Sequence, residues 1–146
     1  ESMQERIAAL AAKTMDVNKF MVDVLKVAVP AGGSGTKVTY HDPCHLKKSM
    51  KVFEQPRALL KSCPSVEYVE MAEADRCCGC GGSFNLQHYS LSKDIGTIKR
   101  NNIVASGAQV VATGCPACMM QISDMLSQHG DKVAVKHVME IYADSL

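Results

Sequence analysis

The chain has 146 residues, of which 47% are apolar and 21% are charged, and its formal net charge is +1. This length and composition suit a single folded domain with its own hydrophobic core and exclude a disordered chain. The near balance of 16 basic and 15 acidic residues excludes the strongly basic surface that nucleic acids or anionic membranes attract, and no apolar stretch has the length of a transmembrane helix.

Two helices are predicted at the start of the chain. Apolar residues repeat at helical spacing through residues 1–29, and Asp16 is a suitable N-cap for the second helix. Residues 30–35 then have the Pro, Gly and Ser composition of a linker. Because the first residues lack a basic and then apolar signal sequence, we expect a cytoplasmic chain, free or peripheral to the inner face of the membrane, or a fragment of a longer one.

Strands and helices alternate after this break. Strands are predicted at residues 37–40, 66–71, 108–113 and 133–138, and helices at residues 45–62, 90–106, 116–129 and 139–146. Pro56 is expected to begin the second part of the helix at residues 45–62. The alternation indicates parallel strands joined by right-handed crossovers. We therefore predict an α/β fold with a small, mainly parallel, Rossmann-like sheet of about four strands flanked by helices, preceded by N-terminal helices.

The seven cysteines are the most informative residues of the sequence. An odd number of clustered thiols without a secretion signal disfavours a disulfide framework and favours metal or redox chemistry. Three of the four predicted strands are followed directly by cysteine. The carboxyl ends of parallel strands share one edge of a sheet, where open α/β folds bind their ligands. We therefore expect the topology to bring together Cys44, Cys77, Cys78, Cys80, Cys115 and Cys118.

The Cys115-x-x-Cys118 segment has a predictable local structure. Pro116 suits the first position of a helix, which places Cys115 at the N-cap and Cys118 one turn further on. Free backbone N–H groups and the positive end of the helix dipole lower the pKa of a thiol there and favour a metal–thiolate centre. Cys44, which follows Pro43, is expected to open a helix in the same way.

Glycines surround the adjacent pair Cys77 and Cys78. They permit close approach of the backbone to a bulky cofactor and can direct N–H groups at sulfur, so we predict that Gly79, Cys80 and Gly81 contact a cofactor. One tetrahedral zinc ion accepts four ligands, whereas an iron–sulfur centre can use five thiolates.

The order Cys44, then Cys77-Cys78-Gly79, then Cys115-x-x-Cys118 resembles the cysteine-rich CCG domain. This domain occurs in the B subunit of heterodisulfide reductase and in the iron–sulfur subunits of glycolate and lactate oxidases and of anaerobic glycerol-3-phosphate dehydrogenase. The matching stretches are residues 41–45, 77–79 and 114–118, and the resemblance spans residues 37–146. Residues 74–76 and 83–84 are more similar to the glycolate and lactate oxidase branch.

The resemblance implies a [4Fe–4S]-type cluster, cubane or non-cubane, with Cys44, Cys77, Cys78, Cys115 and Cys118 as its ligands. It implies an electron-transfer part of a multi-subunit oxidoreductase, with no catalytic residue of its own. The implied partners are a flavoprotein subunit that oxidises a 2-hydroxy acid such as glycolate or lactate, and an upstream ferredoxin-like or second CCG region of the same subunit. Residues 1–30 are then expected to be the link from that region, and residues 37–146 the CCG domain.

Two other functions remain open at this point. A structural zinc module could use four of the cysteines, although their spacing lacks the paired knuckles of common zinc folds. A thiol–disulfide redox domain, similar to heterodisulfide reductase, could use Cys115 and Cys118. Cys80 is an extra ligand, a redox-active thiol or a bystander.

The remaining candidates have ordinary structural roles in our interpretation. His41 and His45 can ligate metal or donate to sulfur, but we expect them to cap a helix or hold a loop. Cys63 is expected in the core. We also expect Met119, Met120 and Met125 to fill the core, and Lys47, Lys48 and Lys51 to form a solvated face.

Overall fold

The computed structural model describes residues 2–27 and 33–146. The N-terminal part contains α1 (Met3–Lys13) and α2 (Val17–Lys19), and α2 continues directly into a π-helical turn (Phe20–Val24). Ser2 and Glu5 form a capping box at the start of α1, and the Asp16 carboxylate caps α2. Both predicted N-terminal helices are thus present. The predicted linker at residues 30–35 lies partly outside the described residues.

The rest of the chain folds around a four-stranded sheet with the order β2–β1–β3–β4, in which every pair is parallel. The strands are β1 (Thr36–His41), β2 (Val66–Tyr68), β3 (Val110–Thr113) and β4 (Ala134–His137). The helices are α3 (Glu54–Ser62), α4 (Phe84–Gln87), α5 (Tyr89–Ala105), α6 (Pro116–Gln128) and α7 (Val138–Ala143). The predicted parallel α/β fold is confirmed.

The two faces of the sheet carry separate hydrophobic cores. Side chains alternate along β1, so Val38 and Tyr40 pack with residues of α3 and α7 on one face. On the other face, Val111 of β3 packs with Ile103 of α5 and Ile122 of α6. The chain moves to one side of β1 to form β2 and to the other side to form β3. The strand order therefore reverses between β1 and β3, the position at which open α/β sheets bind ligands.

Several predicted boundaries differ from the structure. The predicted helix at residues 45–62 is divided into a π-helical turn (His45–Ser49) and α3, with Lys51 between them at a φ of 57°. Pro56 is the third residue of α3 and lies in its first turn, as expected for a first-turn proline. Helix α7 starts one residue earlier than expected because His137 and Glu140 form a capping box. The short α4 was not predicted.

The buried residues of α5 are Ser92, Gly96, Lys99 and Ile103 rather than its larger apolar residues. Leu91 and Ile98 are 53% and 39% exposed. The reason is a close approach: a Cβ on Gly96 would lie 3.1 Å from the carbonyl oxygen of Cys78. Small residues allow α5 to pack against the cysteine-rich loop.

The structure provides no membrane-spanning element within its described ranges, since none of their helices is both long enough and apolar enough to cross a bilayer.

Candidate metal centre

The cysteines converge at the carboxyl edge of the sheet, where the strand order reverses. His41 and Thr113 form the last register pair of β1 and β3, and Cys44 and Cys115 follow these two strand ends. The loop after β2 contributes the third group. Together these segments surround a pocket of about 220 Å³, and six cysteines line it: Cys44, Cys77, Cys78, Cys80, Cys115 and Cys118. The predicted convergence of distant thiols is therefore observed.

The pocket extends from the surface to the buried face of the sheet. Cys77 is exposed, and Cys44 and Cys115 are half-buried. Cys78, Cys80 and Cys118 are buried within the core formed by α5, α6 and β3. His45, Gly81, Gly82 and Ala117 complete the lining. The described residues of this lining include no carboxylate, so its donor atoms are mainly sulfur, the type that iron–sulfur centres and zinc prefer.

Three thiols of the pocket have raised pKa values in the metal-free chain. Burial, followed by the adjacent Cys77, raises the pKa of Cys44. A hydrogen bond with Cys78 is the main cause of the raised pKa of Cys77, and a hydrogen bond with Cys118 is the main cause that raises the pKa of Cys78 to about 12. Our expectation of a lowered thiol pKa is therefore wrong for Cys44. These thiols are protonated at neutral pH, and a metal that binds them must displace protons.

The Cys115-x-x-Cys118 segment has the predicted local structure. Cys115 is the N-cap of α6, with φ −135° and ψ 116°, and Pro116 occupies the first helical position. Cys118 lies in the first turn and is buried. The extended backbone at the N-cap and the helical backbone after it direct both cysteines to the same pocket.

The cysteine-rich loop is fixed by contacts of its glycines. The N–H of Gly79 donates to Sγ of Cys77 at 3.3 Å, and the Ser92 hydroxyl donates to the carbonyl oxygen of Gly79 at 2.8 Å. Gly79 therefore holds Cys77 and the loop in place against α5 and does not itself line the pocket. Gly81 and Gly82 line the pocket directly, with φ of 55° and 64°. Such angles favour glycine.

His41 does not cap a helix. Its side chain is fully buried, and neither ring nitrogen has a hydrogen bond of good geometry among the described residues, where the backbone of Ala74, in the loop before Cys77, is a weak partner. A ring nitrogen lies within 4.8 Å of Sγ of both Cys78 and Cys118. Burial and then the charge of Lys99 lower the pKa of His41 to about 3, so the imidazole is neutral. His45 is exposed and lines the pocket.

Lys99 is a functional candidate that the sequence analysis missed. Its side chain is 1% exposed, and its Nζ donates to the carbonyl oxygens of Glu73 and Ala74 at 2.7 and 3.1 Å. These contacts fix the loop just before Cys77. Burial lowers the pKa of Lys99 to about 8. Its position in the stripe with Ser92, Gly96 and Ile103 is the signal that could have identified it.

A second unpredicted contact supports the segment before Cys44. Asp42 is 1% exposed, and both of its carboxylate oxygens accept hydrogen bonds from the Arg57 guanidinium, at 2.8 and 2.9 Å. The N–H of Asp42 donates to the carbonyl oxygen of Ala74 at 3.0 Å. The bidentate ion pair joins the end of β1 to α3. The backbone hydrogen bond joins the same segment to the loop before Cys77.

The remaining sequence candidates lie outside the pocket. Cys63 is buried in the opposite core, as expected, and its thiol donates to the carbonyl oxygen of Leu59. Met125 is buried as expected, but Met120 is 66% exposed and does not fill the core. Lys48 and Lys51 are exposed as expected, whereas Lys47 is half-buried and pairs with Asp42 and Asp75.

Comparison with known proteins adds a family match. Residues 38–123, more than half of the chain, match the model of the family CCG, described as a cysteine-rich domain. An uncharacterized iron-sulfur protein of Methanococcus maripaludis is 39% identical over 76% of this chain and 24% of that protein. Lactate utilization protein A of Shouchella clausii is 30% identical over 94% of this chain and 58% of that protein.

A third relative has a name from a different enzyme complex. It is the B subunit of the fumarate reductase (CoM/CoB) of Methanothermobacter marburgensis, which is 33% identical over 87% of this chain and 26% of that protein. The chain thus spans between 24% and 58% of the length of these three relatives.

Proposed function

Because the chain belongs to the cysteine-rich CCG family, we propose that residues 37–146 form an iron–sulfur cluster-binding, electron-transfer domain of a multi-subunit oxidoreductase. The observation that carries this proposal is the convergence of thiols from three separate segments in one pocket. Iron–sulfur clusters are held by cysteine thiolates. The proposed ligands are Cys44, Cys77, Cys78, Cys115 and Cys118.

The chain's own residues control the environment of this group. A bound iron–sulfur cluster accepts and releases single electrons at a potential set by ligation, hydrogen bonds to sulfur and solvent exposure. The Gly79 N–H donates to Sγ of Cys77, and the buried Cys78 and Cys118 keep water from the inner side of the pocket. The exposed Cys77 faces solvent, where an electron-transfer partner can approach. Gly81 and Cys80 remain proposed contacts of the cluster.

We further propose a [4Fe–4S]-type cluster in a subunit whose flavoprotein partner oxidises a 2-hydroxy acid such as glycolate or lactate. The relatives named lactate utilization protein A support this substrate class. Residues 1–30 are proposed to link this domain to an upstream ferredoxin-like or second CCG region of the same subunit. The seven free thiols favour a reducing compartment, which we propose to be the cytoplasm.

A zinc module is the second candidate, and one observation favours it. His41, Cys78 and Cys118 offer one nitrogen and two sulfur atoms that lie within 4.8 Å of one another, a spacing compatible with one metal ion. The remaining thiols of the pocket count against it, because one tetrahedral zinc leaves several of them unused.

Anaerobic reconstitution of the 146-residue chain distinguishes these functions. Iron, acid-labile sulfide and zinc are measured, together with absorption and EPR spectra before and after reduction. Roughly four iron and four sulfide per chain support the proposal, whereas about one zinc without sulfide supports the zinc module. Neither metal, with a reversible two-electron thiol titration, supports a thiol–disulfide domain.

A matched pair of variants locates the metal. Cys78→Ser removes a buried thiol of the pocket, and Cys63→Ser removes a buried thiol of the opposite core. We expect Cys78→Ser to lose most of the bound iron and Cys63→Ser to retain it. Equal iron retention in the two variants would refute the proposed ligand set.

A further inference from the structure

We propose that His41 is a positioning residue of the metal centre, whose ring N–H donates a hydrogen bond to the thiolate sulfur of Cys78 or Cys118 when the cluster is bound. This inference rests on the proposed function and adds a residue other than the cysteines. It assigns His41 the task of raising the reduction potential of the bound cluster.

The buried imidazole of His41 lacks a hydrogen bond of good geometry. A neutral histidine has one N–H donor and one acceptor nitrogen, and both ring nitrogens of His41 are buried without a hydrogen bond of good geometry among the described residues, where the backbone of Ala74 is only a weak partner. Buried polar groups are nearly always hydrogen-bonded, since an unpaired one has a desolvation cost. A side chain retained at that cost in the core indicates a partner that the protein residues alone do not supply.

The imidazole of His41 lies beside two sulfur atoms of the pocket. A ring nitrogen of His41 lies within 4.8 Å of Sγ of both Cys78 and Cys118. Both sulfurs line the pocket. They become stronger hydrogen-bond acceptors when a metal binds there and converts them to thiolates. In the metal-free chain the side chains of Cys78 and Cys118 are hydrogen-bonded to each other. Metal binding removes the thiol proton and leaves a stronger acceptor for the ring N–H.

Thr113 is a candidate hydrogen-bond partner for the other ring nitrogen of His41. It is the register partner of His41 on the neighbouring strand, and its buried hydroxyl also has no partner in the described structure. Adjacent strands lie about 4.8 Å apart, so these two side chains are neighbours on the same face. The Thr113 O–H can donate to the acceptor nitrogen of His41, which leaves the ring N–H directed at sulfur.

The imidazole acts as a donor because the pocket already contains five proposed thiolate ligands. A hydrogen bond to a ligating sulfur stabilises the more negative, reduced form of the cluster and raises its potential.

The test compares His41→Leu, His41→Gln and Thr39→Val in the reconstituted 146-residue chain. Leu is similar in size to His and has no donor, whereas Gln retains an N–H. Thr39 is the control, because its buried hydroxyl, also without a partner among the described residues, lies on the same face of β1. In an EPR-monitored redox titration, we expect His41→Leu to decrease the equilibrium constant for reduction about tenfold, equivalent to ~59 mV for one electron. His41→Gln is expected to restore part of this loss, and Thr39→Val to match the wild type.

Three results separate the possible failures. A wild-type potential in cluster-loaded His41→Leu would overturn the inference and leave the proposed function intact. A strong ¹⁴N hyperfine coupling, present in the wild type and lost in His41→Leu, would identify a ligand and overturn the donor role. If the wild type binds no iron and sulfide, the proposed function fails, and this inference fails with it.

The His41→Leu variant can lose its cluster because the fold is damaged or because the metal centre is disturbed. The Tm of the metal-free variant distinguishes these two causes. The imidazole gives the metal-free chain no hydrogen bond of good geometry, so we expect the Tm of metal-free His41→Leu to equal or exceed that of the wild type. Loss of the cluster with an unchanged Tm supports the role at the metal centre. A lower Tm of the metal-free variant would show a structural role for His41 and overturn the inference.

Discussion

Ser92 and Gly79 contact each other through two separate groups. The Ser92 hydroxyl donates to the carbonyl oxygen of Gly79 at 2.8 Å, and the Ser92 carbonyl oxygen lies so close that it would overlap a Cβ on Gly79. Gly79 also has a φ of 97°, a backbone angle that residues with a side chain rarely adopt. The backbone of the cysteine-rich loop therefore rests directly on α5, and only glycine permits this contact.

We predict that Gly79→Ala lowers the free energy of unfolding of the metal-free chain by at least about 2 kcal/mol, from backbone strain and steric overlap. Urea denaturation followed by circular dichroism measures this loss. Gly82→Ala is the control, since Gly82 has a similar positive φ of 64° but no atom within 4 Å of the added Cβ. It is expected to cost about 1 kcal/mol. Equal losses in the two variants would show that the contact with Ser92 is unimportant.

Lys99→Met is predicted to loosen the loop before Cys77. The substitution leaves the carbonyl oxygens of Glu73 and Ala74 without their buried donor. We expect the free energy of unfolding to decrease by about 1–3 kcal/mol, and the metal-free chain to be cleaved faster by protease within residues 69–77. Lys93→Met, at an exposed position of the same helix, is the control and is expected to behave as the wild type.

Arg57→Leu is predicted to be strongly destabilising because it removes the bidentate partner of the buried Asp42. A second cation, Lys47, lies 3.6 Å from the Asp42 carboxylate and compensates the charge only in part. We expect a loss of about 3 kcal/mol in unfolding free energy, the cost of an incompletely compensated buried charge. Arg76→Leu removes an exposed ion pair with Glu73 and is expected to change stability little. Similar thermal denaturation of the two variants would contradict this assignment.

The raised pKa of Cys77 predicts a pH dependence of its alkylation. Only the thiolate reacts with iodoacetamide. Because the pKa of Cys77 is raised, mainly by its hydrogen bond with Cys78, the half-maximal rate is expected well above the ordinary thiol value of about 8.5. The rate at pH 7 is correspondingly low. Mass spectrometry of the exposed Cys77 measures this profile in the metal-free chain.

The same chain in urea provides the control, with a midpoint expected near the ordinary thiol value. The raised pKa also affects the free energy of unfolding. A thiol whose pKa is higher in the folded chain stabilises the fold at pH values below its pKa in the unfolded chain, and this stabilisation is lost as the pH rises through its pKa in the folded chain. A midpoint for folded Cys77 at or below that of the unfolded chain would contradict the prediction.

The strand and helix pattern was predictable because each element depends on local residue choice. Alternation of short apolar runs with helical spacing predicted the parallel sheet, and Pro116 after Cys115 predicted the N-cap of α6. The stripe of α5 was not predictable from hydrophobicity. There, close packing against the cysteine-rich loop favours Ser92 and Gly96 over the larger apolar residues beside them.

The sequence by itself determined which thiols lie close together, because the residues that follow parallel strands are placed at the same edge of the sheet. Tertiary structure alone decided which polar side chains surround those thiols. Lys99 and Arg57 belong to no motif, and His41 lies in the matched stretch at residues 41–45 without a role that its position specifies. The roles of all three depend on burial and on partners from distant segments of the chain. The energy of a buried polar group depends on its hydrogen-bond and ion-pair partners in the folded structure. The spacing of residues in the sequence does not identify these partners.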